Sequence, residues 1–136
     1  MEIKFAKYRI HLNHTFGIAR NANDWYDIIF IYIVEGQIIG RGEAAPSLRY
    51  NETTDRIISL LNQKVKLPED CSDREKIWNH ILPQLNGIKA LEAAFSMALW
   101  DWWGQKCNQP VYELLGMEKS SLLLTSFTIA IGDLKE

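Results

Sequence analysis

The sequence has few residues of the kinds that form disulfides or hold transition metals. Its 136 residues include two cysteines and three histidines. Cys71 and Cys107 are far apart and lack the spacing of a zinc motif, and His11, His14 and His80 form no pair at ligand spacing. The sequence therefore carries no zinc-binding motif. We expect two reduced thiols, although a single disulfide between the two cysteines stays open.

An excess of charge of either sign is also absent. Fifteen basic and seventeen acidic residues give a formal net charge of -2, and no basic stripe stands out, so nucleic acid is not an expected partner. The longest apolar run, over residues 93–103, is interrupted by Ser96 and Asp101 and is too short to cross a membrane. Residues 1–12 alternate charged and apolar positions, unlike a signal peptide. We therefore predict a cytoplasmic protein that contacts neither nucleic acid nor membrane.

Self-contained catalytic motifs are missing too. There is no Gly-x-Ser-x-Gly elbow. The Gly-Arg-Gly segment at 40–42 imitates part of a phosphate loop, but it lies in a predicted strand that leads to Pro46 instead of a helix. Glu52 and Asp55 are expected in a solvated first helical turn, where the helix dipole favours carboxylates. No acidic cluster has metal-binding spacing, so we assign no catalytic and no metal-binding residue to this chain.

Three segments near the N-terminus have the alternation or the β-branched composition of strands. They span residues 2–12, 27–35 and 37–43. A tight connection that contains a glycine joins the second segment to the third. Residues 11–23 and 44–51 contain turn-forming residues and are predicted loops. We expect a three-stranded antiparallel sheet.

Two amphipathic helices are expected after the sheet. The first spans residues 53–64, and Asn51 is its predicted cap. The second begins at a capping box formed by Ser72 and Glu75, and it ends at Pro83 because proline cannot continue a helix. Strands followed by helices favour an α+β layer in which the helices cover one face of the sheet.

A third helix dominates the second half of the sequence. From Ile88 to Trp103 it is apolar on nearly every side, so we expect it to be buried on several sides. Gly104 either ends this helix or lies inside it. Its three tryptophans are predicted to pack in a core or against another domain, with indole N–H groups bonded to polar partners. Asp101 is expected to accept hydrogen bonds in a structural role.

The last apolar run, residues 122–131, does not fit this layer. Its continuous apolar character is typical of a parallel strand that is buried on both faces, as in a barrel. The predicted fold is therefore α+β: a three-stranded antiparallel sheet followed by a helical bundle, and then one strand that belongs to another fold.

Two motifs in the second half carry a resemblance to a known family. Residues 93–101, Ala-Ala-Phe-Ser-Met-Ala-Leu-Trp-Asp, and residues 109–116, Gln-Pro-Val-Tyr-Glu-Leu-Leu-Gly, resemble the enolase superfamily and, within it, the mandelate racemase/muconate lactonizing branch. In that family the pattern closes the N-terminal capping domain just before a (β/α) barrel. The resemblance implies a capping domain at residues 1–121 and the start of a barrel domain at residues 122–136.

The resemblance extends to two loops that close over the barrel mouth in the family. Residues 16–20, Phe-Gly-Ile-Ala-Arg, resemble the first loop. Residues 42–46 and then 49–53, with the run Arg-Tyr-Asn-Glu-Thr, resemble the second loop of dipeptide epimerases, and residues 125–129 resemble the first barrel strand. The implied substrate-binding residues are Phe16, Arg20, Arg49, Tyr50 and Thr128.

The residues themselves leave two roles open at each of these positions. Arg20 either lies on the surface or binds a carboxylate through its planar guanidinium. Arg49 and Tyr50 either flank a helix entry or face a pocket, and Thr128 belongs to an ordinary buried strand or lines a pocket wall. Asn51 stands where glycine is common in the epimerase group, and both residue types tolerate unusual backbone angles.

The resemblance also implies a reaction, the 1,1-proton transfer at the α-carbon of a dipeptide such as L-Ala-D/L-Glu. In the family, Mg²⁺ stabilises the charge that develops on the substrate, and lysines on barrel strands move the proton. These groups are expected beyond Glu136. The implied partners are a dipeptide, the protein's own barrel domain and further copies of the same protein in a homo-oligomer.

Two alternative functions stay open. The chain could be the cap of a muconate-cycloisomerase-like or o-succinylbenzoate-synthase-like enzyme, because these enzymes share the cap and the barrel. It could also be a free-standing α+β binding module without catalysis. The apolar helix and the run at 122–131 argue against that second alternative, since both need a partner to cover them.

Overall fold

The computed structural model describes residues 1–18, 21–63, 65–119 and 124–126. The described sheet consists of β1 (Glu2–Ile18), β2 (Asn21–Glu35) and β3 (Ile38–Ala44), in that order across the sheet. Both strand pairings are antiparallel. The predicted three-stranded antiparallel sheet is confirmed.

The β1–β2 hairpin is longer than the sequence indicates. The predicted loop over residues 11–23 is wrong, because the pairing continues to Ile18 opposite Asn21, with one irregularity between His11 and Phe16. Pairing across the hairpin gives the backbone N–H and C=O groups of these residues their hydrogen-bond partners. Extended pairing therefore prevails over the turn propensity of the individual residues.

A two-residue turn joins β2 to β3, in agreement with the predicted tight connection. Glu35 pairs with Ile38, so Gly36 and Gln37 alone lie between the paired residues. Gly36 has a φ of 60°, a left-handed value that glycine adopts without steric cost.

The helical part of the chain follows the sheet, as predicted. Its described α-helices are α1 (Thr54–Asn62), α2 (Arg74–Ile81), α3 (Lys89–Cys107) and α4 (Val111–Leu114), and 3₁₀ turns span Leu48–Tyr50 and Leu82–Leu85. Pro83 lies in the 3₁₀ turn that follows α2, where its missing N–H costs no helical hydrogen bond. Gly104 lies inside α3, which decides between its two predicted roles.

The predicted cap of α1 is wrong by two residues. Thr53 caps this helix: its hydroxyl accepts a hydrogen bond from the backbone N–H of Arg56 at 3.2 Å. Asn51 instead ends the preceding 3₁₀ turn with a φ of 56°. The expected tolerance of Asn51 for an unusual backbone angle is confirmed.

The predicted capping box at the start of α2 is also wrong. Asp73 is the cap, and its Oδ1 accepts hydrogen bonds from the backbone N–H groups of Glu75 and Lys76 at 2.8 and 3.1 Å. The N–H of Ser72 donates to Asp70 at 2.9 Å, so the chain is still in a turn at that residue. Consecutive residues that can all act as caps made the exact start of α2 ambiguous.

α3 lies against β3 with the two backbones close together. A Cβ atom on Gly40 would overlap the main-chain oxygen of Ala98, and a Cβ atom on Gly42 would overlap that of Ala94. Glycine in the strand and alanine in the helix permit this approach. The Gly-Arg-Gly segment lies inside a strand, as predicted, and its glycines serve helix–sheet packing.

The core lies between the helical layer and one face of the sheet. Its fully buried side chains from β2 are Ile29, Ile31 and Ile33, and its buried residues from α3 are Leu91, Ala94, Phe95, Ala98, Leu99 and Trp102. Ile57 of α1 and Ile77 of α2 close the core on the helical side. Ala93 and Met97 on α3 are exposed. α3 is therefore buried on several sides, as predicted, but not on all of them.

The tryptophans of α3 have the predicted packing role. Trp102 is fully buried, and its indole Nε1 donates a hydrogen bond to Glu35 at 2.9 Å. The ring of Trp103 lies 5.4 Å from that of Trp102. Trp100 is half-buried, with the guanidinium of Arg74 3.8 Å from its ring centroid. These rings pack inside the domain and at its surface, and Trp102 has the expected polar partner.

Two polar side chains of α3 contact backbone groups of β3. Asp101 accepts a hydrogen bond from the backbone N–H of Arg41 at 2.8 Å, and Gln105 donates to the carbonyl of Ile39 at 2.9 Å. β3 is an edge strand of the described sheet, and such edges carry unpaired backbone groups. The structural role predicted for Asp101 is confirmed.

The predicted strand over residues 122–131 lies mostly outside the described residues. Residues 124–126 are described, and they are exposed and belong to no helix or strand. The division into a capping domain at 1–121 and a barrel start at 122–136 stays a prediction. Cys71 and Cys107 are both free thiols. In the ranges that the structure covers, none of the helices combines the length and the hydropathy that crossing a membrane requires.

Candidate functional site

The sheet topology places the two candidate loops at the same end of the sheet. Ala44, the last residue of β3, pairs with Ile29 of β2, so the chain after β3 leaves toward the β1–β2 hairpin tip. Asn21, at the start of β2, lies eight residues beyond Ile29 along the strand. The hairpin therefore extends about 26 Å past the end of β3, at a rise of about 3.3 Å per residue.

Three of the predicted substrate-binding residues belong to parts of the chain that the structure describes little or not at all. Phe16 lies in the distal half of β1, where its backbone is opposite Asn23. Arg20 and Thr128 lie outside the described residues. Their contacts with substrate therefore stay predictions.

A charged cluster fixes the hairpin below its tip. Asp27 accepts hydrogen bonds from the guanidinium of Arg9 at 2.7 and 3.0 Å, and the ammonium of Lys7 lies 3.1 Å from the same carboxylate. The guanidinium also stacks on Trp25, 3.7 Å from the ring centroid. The hydrogen bond from Arg9 is the largest cause that lowers the pKa of Asp27, to about 2. The carboxylate is therefore ionised at neutral pH, and the strands are paired by charge as well as by backbone.

Hydrogen bonds close the second candidate loop into a compact turn. The hydroxyl of Ser47 accepts from the N–H of Arg49 at 3.3 Å. The carbonyl of Ser47 accepts from the N–H groups of Tyr50 and Glu52 at 2.9 and 3.1 Å. Asn51 completes the turn with its left-handed backbone. We call residues 47–52 the arginine–tyrosine turn.

The arginine–tyrosine turn presents an arginine between two exposed apolar side chains. Leu48 is 81% exposed and Tyr50 is 66% exposed. The guanidinium of Arg49 lies 5.9 Å from the centroid of the Tyr50 ring, within cation–π range. Among the described residues, the ion pairs do not include Arg49. Large exposed apolar side chains beside such a cation are typical of a contact surface.

Glu52 fixes the arginine–tyrosine turn to the helical layer. Its side chain is buried, and Oε1 accepts hydrogen bonds from the backbone N–H groups of Lys89 and Ala90 at 2.6 and 3.3 Å. These are first-turn amides of α3, and the side chain of its N-cap residue, Ile88, cannot bond to them. The prediction that Glu52 lies in a solvated helical turn is wrong, because its carboxylate caps α3. Asp55, in contrast, is exposed as predicted.

The described residues do not enclose a ligand by themselves. One surface groove of about 470 Å³ lies between the start of β1 and the end of α1, and a second groove of about 360 Å³ lies beside Gly104 and Gln109. Arg49 and Tyr50 line neither groove. No three histidine, cysteine, aspartate or glutamate side chains in the described part of the chain lie close enough to hold a metal ion. The arrangement can contact and cover a ligand that another part of a protein holds.

Comparison with known proteins assigns this architecture. The sequence matches the family model described as "Mandelate racemase / muconate lactonizing enzyme, N-terminal domain" over residues 2–116. It is 32% identical to the L-Ala-D/L-Glu epimerase of Bacillus subtilis, in an alignment that covers 100% of this chain and 38% of that enzyme. It is 30% identical to the L-Ala-D/L-amino acid epimerase of Pedosphaera parvula, over 96% of this chain and 39% of that enzyme.

A solved structure supports the same assignment of the fold. The dipeptide epimerase from Methylococcus capsulatus, complexed with Mg and the dipeptide L-Arg-D-Lys, superposes with a TM-score of 0.85 at 24% identity. The match covers 98% of this chain and 39% of that chain. The chain thus spans about two fifths of the length of the relatives it matches. Because the family model covers nearly all of the described residues, the chain belongs to the mandelate racemase/muconate lactonizing enzyme family and corresponds to its N-terminal domain.

Proposed function

We propose that this chain is the capping domain of a Mg²⁺-dependent dipeptide epimerase, and that its two loops select and enclose the substrate. The observation that carries the proposal is the geometry of the arginine–tyrosine turn. The turn is closed by its own hydrogen bonds, exposes Leu48, Arg49 and Tyr50, and leaves the sheet at the end where the long hairpin extends. The relatives at 30% and 32% identity are an L-Ala-D/L-amino acid epimerase and an L-Ala-D/L-Glu epimerase.

Each predicted site residue has a role in this proposal. Arg20 pairs with an acidic side chain of the dipeptide, because its guanidinium matches a carboxylate in a planar, two-pronged contact. Phe16, Arg49 and Tyr50 exclude water when the loops close, and Thr128 lines the pocket from the barrel side. A dry site strengthens every charge interaction inside it, so closure contributes to rate as well as to affinity.

The metal and the proton-transferring groups belong to the barrel domain in this proposal. The described residues do not fit a Mg²⁺ site, because no cluster of three ligating side chains exists among them. We therefore assign no step through the metal to this chain. Residues 1–121 form the cap and residues 122–136 begin the barrel. The enzyme is a cytoplasmic homo-oligomer.

Proton exchange in D₂O tests the proposal directly. The gene product that includes the barrel domain is incubated with Mg²⁺ and a dipeptide library that contains L-Ala-L-Glu, and the α-protons are followed by ¹H NMR. We expect loss of one α-proton signal and accumulation of the epimeric dipeptide, because epimerisation replaces the α-proton with solvent deuterium. Removal of Mg²⁺ with a chelator is expected to stop both.

Three outcomes contradict the proposal. Turnover of a cycloisomerase or o-succinylbenzoate-synthase substrate without dipeptide exchange supports the related enzyme class. Absence of any turnover by the complete gene product supports a non-catalytic binding module. Dipeptide exchange by the 136-residue chain alone shows that the catalytic groups lie in this segment.

A further inference from the structure

We infer that Glu52 is a positioning residue for the substrate-contacting loop: its buried carboxylate holds the arginine–tyrosine turn against the N-terminus of α3 and so sets where Arg49 and Tyr50 stand. The part of this inference that concerns substrate contact rests on the proposed function. The attachment of the turn rests on contacts within the described residues alone.

The contacts of Glu52 reach both the turn and the helix. Its backbone N–H donates to the carbonyl of Ser47 at 3.1 Å, which closes the turn. Its side chain accepts from the amides of Lys89 and Ala90, 37 and 38 residues away in sequence. One residue therefore links the turn that carries the exposed side chains to a helix that is distant in sequence. A displacement of the Glu52 side chain has to displace the turn or break these bonds.

The helix that receives Glu52 is a fixed point of the domain. α3 has 19 residues, and its contact with β3 is so close that Gly40 and Gly42 cannot carry a Cβ atom. The amides at its start have no local side-chain cap, and the positive end of the helix dipole favours a carboxylate there. The hydrogen bond from Lys89 is short, at 2.6 Å, and charge-assisted, and Glu52 is 5% exposed, so the contact is stronger than an ordinary surface hydrogen bond.

A second contact supports the same turn from the other side. The guanidinium of Arg56, in the first turn of α1, donates to the carbonyl of Asn51 at 3.0 Å. Arg56 is exposed, whereas Glu52 is 5% exposed, so water competes with the arginine contact but not with the glutamate contact. Glu52 is therefore the contact whose loss is expected to free the turn.

Asp73 provides a matched control for helix capping without a loop attached. Its carboxylate also accepts from two first-turn amides, those of Glu75 and Lys76, at the start of α2. Asp73 contacts no residue of the arginine–tyrosine turn among the described contacts. Asp73→Ala and Glu52→Ala therefore both remove a two-amide cap, and only Glu52→Ala removes a cap that holds the turn.

The first experiment measures amide hydrogen exchange in the 136-residue chain. Glu52→Ala is expected to accelerate exchange of the Tyr50 and Asn51 amides at least tenfold, because it removes the two charge-assisted hydrogen bonds that oppose local opening. Glu52→Gln is expected to accelerate it less, because its amide oxygen still accepts. Asp73→Ala is expected to leave both amides unchanged. No acceleration in Glu52→Ala, or equal acceleration in Asp73→Ala, overturns the attachment.

The second experiment measures epimerisation of L-Ala-L-Glu by the protein that includes the barrel domain. Glu52→Ala is expected to lower kcat/KM about tenfold, through a higher KM and a lower kcat, since a displaced turn contacts the substrate less and excludes water less completely. Glu52→Gln is expected to restore most of the loss, and Asp73→Ala to change neither constant. Equal changes of kcat/KM in Glu52→Ala and Asp73→Ala overturn the positioning role.

The two experiments separate this inference from the proposed function. If the unsubstituted protein epimerises no dipeptide, the proposed function fails, and the substrate part of the inference fails with it. Hydrogen exchange still decides whether Glu52 holds the turn. If the unsubstituted protein is active and the exchange rates do not respond to Glu52→Ala, the inference fails and the proposed function stands.

Discussion

Replacing Trp102 with phenylalanine removes one hydrogen bond that connects α3 to the end of β2. The indole Nε1 donates to Oε2 of Glu35 at 2.9 Å, and the ammonium of Lys106 lies 3.1 Å from both oxygens of the same carboxylate. After the substitution, Glu35 keeps Lys106 as a partner. The perturbation therefore removes a donor without leaving an isolated charge.

The expected loss of stability has two parts. A hydrogen bond to a charged group contributes about 1.5–3 kcal/mol, and the lower value applies because the Glu35 side chain is 35% exposed and water can replace the donor. The smaller ring also buries roughly 40 Å² less apolar surface, which costs about 1 kcal/mol at about 25 cal/mol per Å². We expect Trp102→Phe to lower the free energy of unfolding by about 2.5 kcal/mol.

Urea unfolding of the 136-residue chain, followed by far-ultraviolet circular dichroism, measures this loss. Trp103→Phe is the matched control: the same atoms are removed from the adjacent ring, and the described contacts include no hydrogen bond from its indole. The control is expected to lose about 1 kcal/mol or less. In the variant Trp102→Phe with Glu35→Gln, the two losses are expected to be non-additive, because the residues share one hydrogen bond.

The pH dependence gives a further check on the same hydrogen bond. Partial burial raises the pKa of Glu35, but the hydrogen bonds from Lys106 and Trp102 outweigh it and hold the pKa below its ordinary value. A lowered pKa stabilises the fold above the unfolded-state value of about 4.3, and this contribution is lost as the pH falls. The difference between the native chain and Trp102→Phe should therefore narrow in acid. An equal loss in Trp103→Phe, or a difference that does not narrow, refutes the reasoning.

Three other substitutions test the loops and the packing. If the proposed function holds, Arg20→Ala in the protein that includes the barrel domain should lower kcat/KM for L-Ala-L-Glu about tenfold more than for a neutral dipeptide, as expected for one charged hydrogen bond; equal losses contradict the proposed role. Asp27→Asn should reduce the loss of stability between pH 4 and pH 2, because the pKa of Asp27, lowered to about 2 by the Arg9 hydrogen bond, accounts for part of that loss; urea midpoints across this range measure the difference. Gly42→Ala should cost about 3 kcal/mol in thermal unfolding, against about 1 kcal/mol for Gly36→Ala in open space.

The elements with strong periodicity were predictable from the sequence. β2 is rich in β-branched and aromatic residues around Ile29–Ile33, and α3 is apolar on most of its circumference. Such segments form their predicted structure because burial and local propensity favour the same conformation. The order of strands then helices determined the α+β layer, since each element has one face to cover.

The far half of the β1–β2 hairpin was not predictable from local composition. Residues 11–23 contain three asparagines and a glycine, which favour turns when they are considered one at a time. The register became visible only in the structure, where Arg9 stands opposite Asp27. A cross-strand pair at a separation of 18 residues has no local signal in the sequence.

The candidate site was predicted in part. The resemblance pointed to Arg49 and Tyr50, and the structure brings them together on one exposed turn. The sequence did not reveal that Glu52 caps α3, because the partner amides are 37 and 38 residues away. One signal was present: α3 starts after Ile88, whose side chain cannot cap a helix, so a distant acceptor was needed for its first amides. Arg20 and Thr128 lie outside the described residues, and their roles stay predictions.

The contacts of α3 link both ends of this helix to the segments that leave the sheet. Its first amides receive Glu52, which holds the arginine–tyrosine turn, and near its last turn Trp102 contacts Glu35 at the β2–β3 turn. Between these ends, Gly40 and Gly42 hold the helix against β3 with no room for adjustment. In the described part of the hairpin, the Arg9–Asp27 and Thr15–Asp24 hydrogen bonds join β1 to β2. The second loop is therefore positioned by a buried helix and the first by strand pairing, so core substitutions in α3 should act on the second loop first.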